Sequence, residues 1–132
     1  MDEDDERSMA DLEAVRDTIQ NYFDGLYDGD LEKMGRAFHP CCHLYSGSNG
    51  GVQDESAPDW FQRIRNRPSP ASQGAARRDR ILSIDLTGAG SALAKVQVLA
   101  PSGCYSDYLS LLRLREGWRI VAKVFAPCES GR

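Results

Sequence analysis

Both histidines and two of the four cysteines fall within five consecutive residues, His39-Pro40-Cys41-Cys42-His43. These are the side-chain types that ligate metals or attack carbon, so chemistry is sought here first. Zinc ligands are usually spaced by two or more residues, so that several can turn toward one ion. Neighbours on an extended chain point to opposite faces, which keeps Cys41 and Cys42 apart. The run therefore reads as small packed side chains, with no metal. A thiol nucleophile needs a base held beside it, and nothing in the spacing supplies one. His39 falls at an expected helix end, where a cation meets the negative pole of the dipole. His43 and Tyr45 alternate with Leu44 and share one strand face. If that face lines a pocket, His43 is the best placed general base, since an imidazole exchanges protons near neutrality.

Arg63, Arg65, Arg67, Arg77, Arg78 and Arg80 form a second cluster. Without interleaved aromatic residues it reads as a solvated helix and loop face, not a strand-binding platform. The net charge of −4 is the wrong sign for phosphate-led binding, so no nucleic acid partner is expected. Gly47-Ser48-Asn49-Gly50-Gly51 lacks the Lys-Ser/Thr end of a phosphate cradle, and no cofactor is implied. The acidic start Asp2-Glu3-Asp4-Asp5-Glu6 is not an export signal, which makes the expected location cytoplasmic, with reduced thiols. No stretch nears the ~20 apolar residues of a membrane span, so no membrane partner is expected.

The elements that position these residues follow from hydrophobic period. At 132 residues and 41% hydrophobic, the chain is one domain's worth of sequence, with an acidic disordered tail over 1–8 and a single domain over 9–127. Met9, Leu12, Val15, Ile19, Tyr22, Phe23 and Leu26 recur at helical spacing, and Ser8 with Asp11 resembles a capping box. The helix should end near Tyr27 or Asp28, before Gly29. Asp30 caps a second helix through Leu31, Met34, Ala37 and Phe38, which Pro40 stops. His43 to Ser46 is a short strand. Ser56, Pro58 and Asp59 open a third helix through Trp60, Phe61 and Ile64, and Pro68 closes it.

Beyond that point the period becomes two. Arg80 to Thr87 places Leu82, Ile84 and Leu86 on one face, and Ser91 to Leu99 does the same with Ala92, Ala94, Val96 and Val98. Tyr105 to Leu114 and Trp118 to Phe125 form a hairpin about Glu116-Gly117. Regular pairing sets Lys123 opposite Ser110, on a face with Tyr108 and Phe125, and puts Asp107 on the other. A bulge would reverse this. Helices followed by an antiparallel meander are an α+β layout, and a twisted sheet curling over helices leaves a pocket between the layers.

Two stretches carry a resemblance that spans most of the chain. Tyr22-Phe23-Asp24-Gly25-Leu26-Tyr27-Asp28-Gly29-Asp30 with Ala37-Phe38-His39-Pro40 resembles the opening of the NTF2-like superfamily. Tyr105-Ser106-Asp107-Tyr108-Leu109-Ser110-Leu111-Leu112 with Gly117-Trp118-Arg119-Ile120-Val121-Ala122-Lys123-Val124-Phe125 is similar to its lumazine-binding branch, among relatives of SnoaL-like proteins and ketosteroid isomerase. The resemblance implies a cone-shaped curved sheet with three helices enclosing a pocket, a small-molecule ligand, and a homodimer through the sheet face. Phe38, Tyr45, Trp60, Tyr108, Lys123 and Phe125 are the candidate ligand-binding residues, of which Lys123 matches the family's terminal pattern.

Ketosteroid isomerase works with a carboxylate base and an oxyanion hole of tyrosine and protonated aspartic acid. Tyr22 is similar in position to that tyrosine, and Asp107 falls near the second acid. The first strand, Leu44-Tyr45-Ser46-Gly47, has no carboxylate for the base. The plainer alternatives are a core tyrosine with its hydroxyl satisfied, and a buried acid or arginine partner. Three functions therefore stand: a pocket for a small apolar or aromatic molecule, an isomerase, dehydratase or cyclase using Tyr22, His43 and Asp107, and a homodimeric association module. Whether the pocket turns a substrate over stays open at this point.

Overall fold

In the computed structural model, which describes residues 2–129, three helices pack on one face of a six-stranded sheet. The elements are α1 (Glu3–Asp28), α2 (Leu31–Ala37), β1 (Phe38–Ser48), β2 (Gly51–Ser56), α3 (Ala57–Arg65), β3 (Arg80–Leu86), β4 (Ser91–Ala100), β5 (Gly103–Leu114) and β6 (Gly117–Pro127). The strand order is β2-β1-β6-β5-β4-β3, and β2 and β3 are open edges. All neighbours are antiparallel except β1 and β6, which run parallel, so the sheet is mixed and not a pure meander.

The long helix differs from expectation at its start. It opens at Glu3, not Ser8, because Asp2 accepts from the Asp5 N–H and four acidic residues fill the first turn, where the dipole favours them. Residues 3–8 of the segment expected as a disordered tail are thus the solvated first turns of α1, and Met1 lies outside the described residues. Its buried stripe begins at Asp11 and Val15, while Met9 and Leu12 lie outside it. The far end behaves as expected: Gly29 takes φ 69° and its N–H bonds the Gly25 carbonyl. Gly25 is needed for the corner, since a Cβ there would meet Met34 Cγ and Sδ at 2.9 Å.

Asp30 caps α2 by accepting from the Glu32 and Lys33 amides. The helix then ends one residue early, at Ala37. Phe38 is already extended, and Pro40 lies within β1, where the pairing with β6 is interrupted between Phe38 and His43. A proline is tolerated at such an irregularity because no ladder donor is lost. Strand β2 was not expected. Its signal is Asn49-Gly50, both at positive φ (51° and 81°), the residue pair that closes two-residue hairpins.

Two bulges decide which side chains face the helices. In β3 the register shifts between Ile81 and Ser83, so Ile81, Ile84 and Leu86 pack inward and Leu82 is exposed. In β5–β6 it shifts between Ser110 and Leu111: Leu111 pairs with Ile120, but Leu109 pairs with Lys123 and Asp107 with Phe125. The bulge turns Lys123 and Asp107 onto the same inner face. The regular register, with Lys123 opposite Ser110 and beside Tyr108, is therefore overturned. Strand β4 buries Ala92, Ala94, Val96 and Val98 as its alternation predicts.

Candidate functional site

Where α1 crosses β5 and β6, three polar side chains meet in the core. Tyr22 donates its hydroxyl proton to Asp107 Oδ2 at 2.6 Å and accepts from Lys123 Nζ at 3.0 Å. Lys123 Nζ lies 3.9 Å from Asp107 Oδ2. Tyr22 and Asp107 are fully buried, and the Lys123 side chain is 7% exposed. Asp107 Oδ1 is buried with no hydrogen-bond partner among the described residues. Such an unsatisfied acceptor is uncommon and calls for a reason.

Aromatic rings enclose the amine. Lys123 Nζ sits 4.2 Å from the Trp60 ring centre, 5.0 Å from Phe125 and 5.1 Å from Tyr22. Burial is the main influence on its basicity and pulls it below the usual lysine range. Asp107 and Cys42 oppose that shift, and Arg63 and Arg67 add to it. Burial, then the Asp107 carboxyl beside it, holds the Tyr22 hydroxyl well above the usual range, so it remains a proton donor. Burial also pushes the neighbouring Cys42 thiol up to about 12.

Tyr22 and Lys123 of this cluster line the floor of a cavity of about 350 Å³ between the sheet and the helices, with Asp107 held against the Tyr22 hydroxyl. Its lower wall is apolar and aromatic, with Leu26, Leu44, Trp60, Val98 and Phe125. Its mouth is polar, carrying Ser46, Gln53, Arg63 and Arg67. Arg63 makes a two-pronged pair with Glu55, whereas Arg67 is drawn below its usual basicity by burial and by Arg63.

Of the residues singled out from sequence, Tyr22, Asp107, Lys123, Trp60 and Phe125 come together here. The others do not. His43 pairs with Asp54 and stacks on Tyr45, both on the opposite face of β1 and half-exposed, which removes His43 from the base role and Tyr45 from the wall. The strand itself held the signal, since Cys42 and Leu44 are the apolar members of its alternation. Tyr108 is on the outer face, where it meets Lys95. Phe38 is buried behind the cavity, edge-on to Tyr22 and Trp60 at 5.0 and 5.2 Å, and supports the floor without lining it. Arg63 and Arg67 also border the cavity, with the Arg63 side chain solvated as expected and Arg67 half-buried.

The cysteines divide in two. Cys41 is exposed and Cys42 buried, as alternation predicts. Cys104 and Cys128 are joined by a disulfide with Cα atoms 5.4 Å apart, where reduced thiols were expected. The pairing of β5 with β6 brings their ends together: the Cys128 N–H also bonds the Cys104 carbonyl.

Comparison with known proteins gives a consistent result. The family described as "Putative lumazine-binding" matches residues 10–126. Aldolase FrzH from a Cladobotryum species is 22% identical over 119 residues, which are 89% of this chain and 92% of that protein. An NTF2-like protein of unknown function from Shewanella baltica OS155 has a TM-score of 0.77 at 20% identity, over 89% of this chain and 94% of that one. A second, from Methylobacillus flagellatus KT, has a TM-score of 0.71 at 25% identity, over 88% and 90% of the two chains.

Proposed function

We propose that this chain, which belongs to the Putative lumazine-binding family and has the NTF2-like fold, holds a small molecule with an apolar or aromatic body in its cavity. The observation that carries this reading is the cavity itself. Trp60, Phe38 and Phe125 do not close it, and about 350 Å³ is within the range of small-molecule sites. The aromatic floor suits a ring and the polar mouth suits a polar end turned outward. Native mass spectrometry of the purified protein tests it: retained small-molecule mass is expected. A clean protein that no aromatic compound stabilises against heat would overturn the reading.

A second reading, proton transfer on a bound substrate, is favoured by the 2.6 Å Tyr22–Asp107 hydrogen bond. A relative named as an aldolase supports it, because aldol chemistry moves a proton beside a carbonyl. The donor would be Tyr22 and the acid–base group Asp107, with no part for His43. Unchanged turnover in Tyr22→Phe and Asp107→Asn on a substrate found by screening would remove it.

The 9–127 region acts in this reading as a single unit, and two copies pair through the outer sheet face. Leu93, Tyr108, Leu112 and Val124 there are each 40–51% exposed, a patch of the kind that marks interfaces. Sedimentation should show a dimer that Tyr108→Glu and Val124→Glu dissociate. Among the described residues no helix is long and apolar enough to cross a membrane. We place the protein in the cytoplasm, though the Cys104–Cys128 bond weighs toward a less reducing setting. Thiol counting on freshly lysed cells decides between them.

A further inference from the structure

We propose that Lys123 is the nucleophilic amine of the cavity, forming an imine with the carbonyl carbon of a small aromatic or apolar aldehyde or ketone. The proposal rests on the ligand-pocket reading and names the ligand's reacting group.

Position is the first argument. Lys123 lines the cavity, and among the described residues its one hydrogen bond runs to Tyr22. The ring faces of Trp60, Phe125 and Tyr22 pack about it and do not compete with a carbonyl for its nitrogen, while Asp107 Oδ2 stands off at 3.9 Å. A lysine serving only the fold has little reason to be here, because buried ion pairs can generally be replaced by apolar side chains without loss. A pair kept for structure would also be saturated, whereas Asp107 Oδ1 has no partner.

The proton path is the second. The chain Lys123 Nζ, Tyr22 Oη, Asp107 Oδ2 is continuous at 3.0 and 2.6 Å. The ammonium passes a proton to Tyr22 as Tyr22 passes its own to Asp107, which leaves a free amine with no net charge moved out of the site. The amine nitrogen then bonds to the carbonyl carbon, giving a carbinolamine. The Asp107 proton returns through Tyr22 to the departing hydroxyl, the C–O bond breaks and water leaves. The oxygen of that water comes from the carbonyl, one hydrogen from the amine and one from Asp107. The product is an iminium cation beside the Asp107 carboxylate, so the charge formed has its counter-ion already in place. No oxidant, reductant or further reactant enters. Burial lowers the basicity of Lys123 and so makes the free amine accessible nearer neutrality. The groups that face it are Tyr22 on α1, Cys42 on β1, Arg63 on α3, Arg67 just beyond it and Asp107 on β5.

The test uses the whole protein and 4-methoxybenzaldehyde with sodium cyanoborohydride, which reduces an imine to a stable secondary amine. Lys33 and Lys95, the other two lysines, are internal references. Peptide mapping at pH 7 should find Lys123 labelled at least about tenfold faster than either, with a rate that levels off at lower pH than theirs. Tyr22→Phe, which keeps the ring, should slow that labelling about tenfold or more without moving it to another residue. Thermal shift with 4-methoxybenzyl alcohol, which has the same ring and no carbonyl, tests the pocket alone. If the alcohol stabilises the protein but Lys123 labels no faster than Lys33 and Lys95, the imine is overturned and the pocket stands. If the alcohol has no effect and Lys123 is not labelled, both are overturned.

Discussion

Helix α1 places a charged or phenolic side chain against both β5 and β6 at two points, Asp11 and Tyr22, about three turns apart, and the two crossings differ in kind. At the first, Asp11 accepts from both sides: Arg113 Nη1 at 2.8 and 3.0 Å, and Trp118 Nε1 at 3.3 Å. Arg113 is about one-third exposed and shares its charge with water. Both Asp11 oxygens are partnered, and the cluster pins a helix to a sheet. At the second, Tyr22, Asp107 and Lys123 come from the same three elements. Here all three are buried, one Asp107 oxygen is unpartnered, and rings and a cavity surround the amine. A polar cluster that only holds a fold together fills its hydrogen bonds. One that leaves a buried acceptor and a poorly solvated amine against a cavity is costly to the fold, and that cost is what makes it the candidate site proposed above.

The largest expected effect separates the two clusters by stability. Asp107→Leu leaves Lys123 buried without a counter-charge and Tyr22 without an acceptor, and should cost about 3–5 kcal/mol in urea unfolding. Adding Lys123→Met should return most of that loss, since an apolar pair replaces an ionic one. A double variant no more stable than Asp107→Leu alone would break the comparison, because it would make the lysine a structural necessity. Asp11→Ala should cost less, about 1–3 kcal/mol, as Arg113 can turn to water while Trp118 Nε1 loses its acceptor. It should leave aldehyde labelling of Lys123 unchanged. Between the crossings, Thr18 donates to the Ala14 or Trp118 carbonyl at 3.1 and 3.2 Å. Thr18→Val keeps the shape and should cost about 0.5–1.5 kcal/mol.

Much of the fold was legible because local rules agreed with one another. Asp30, Ser56 and Gly29 mark helix ends by side chains and backbone freedom that act within a few residues. The alternation in β4 specifies a face by itself. The site was harder to read. Tyr22 and Asp107 were reached through resemblance, but their meeting with Lys123 depends on the bulge between Ser110 and Leu111, which reverses the face of one strand end. A bulge is decided by the curvature of the whole sheet and has no residue signature here, neither glycine nor proline. His43 does have a local signal, since buried Cys42 and Leu44 on either side of it turn its ring to the other face of β1. The pairing of Cys104 with Cys128 has no local signal, because it follows from strand ends that only the folded sheet brings together.

The smallest effect is chemical and leaves stability untouched, and it asks whether the second crossing is as dry as its geometry implies. Cys42 borders Lys123, so its thiol reports on the same surroundings. A charged ammonium in a wet site would favour the thiolate, whereas burial, the larger influence, pushes the thiol up to about 12. At pH 8 that leaves about one Cys42 thiol in ten thousand ionised. Cys41, one residue away and exposed, experiences the same reagent without the burial. Iodoacetamide under non-reducing conditions should therefore modify Cys41 fully and leave Cys42 untouched until the protein unfolds. The disulfide keeps Cys104 and Cys128 out of the count. Equal modification of the two neighbours in folded protein would mean that water reaches the floor, and the contrast between the two ends of α1 would shrink to one of geometry. Protection of Cys42 that ends on unfolding would place the amine in the low-dielectric setting that its proposed chemistry requires.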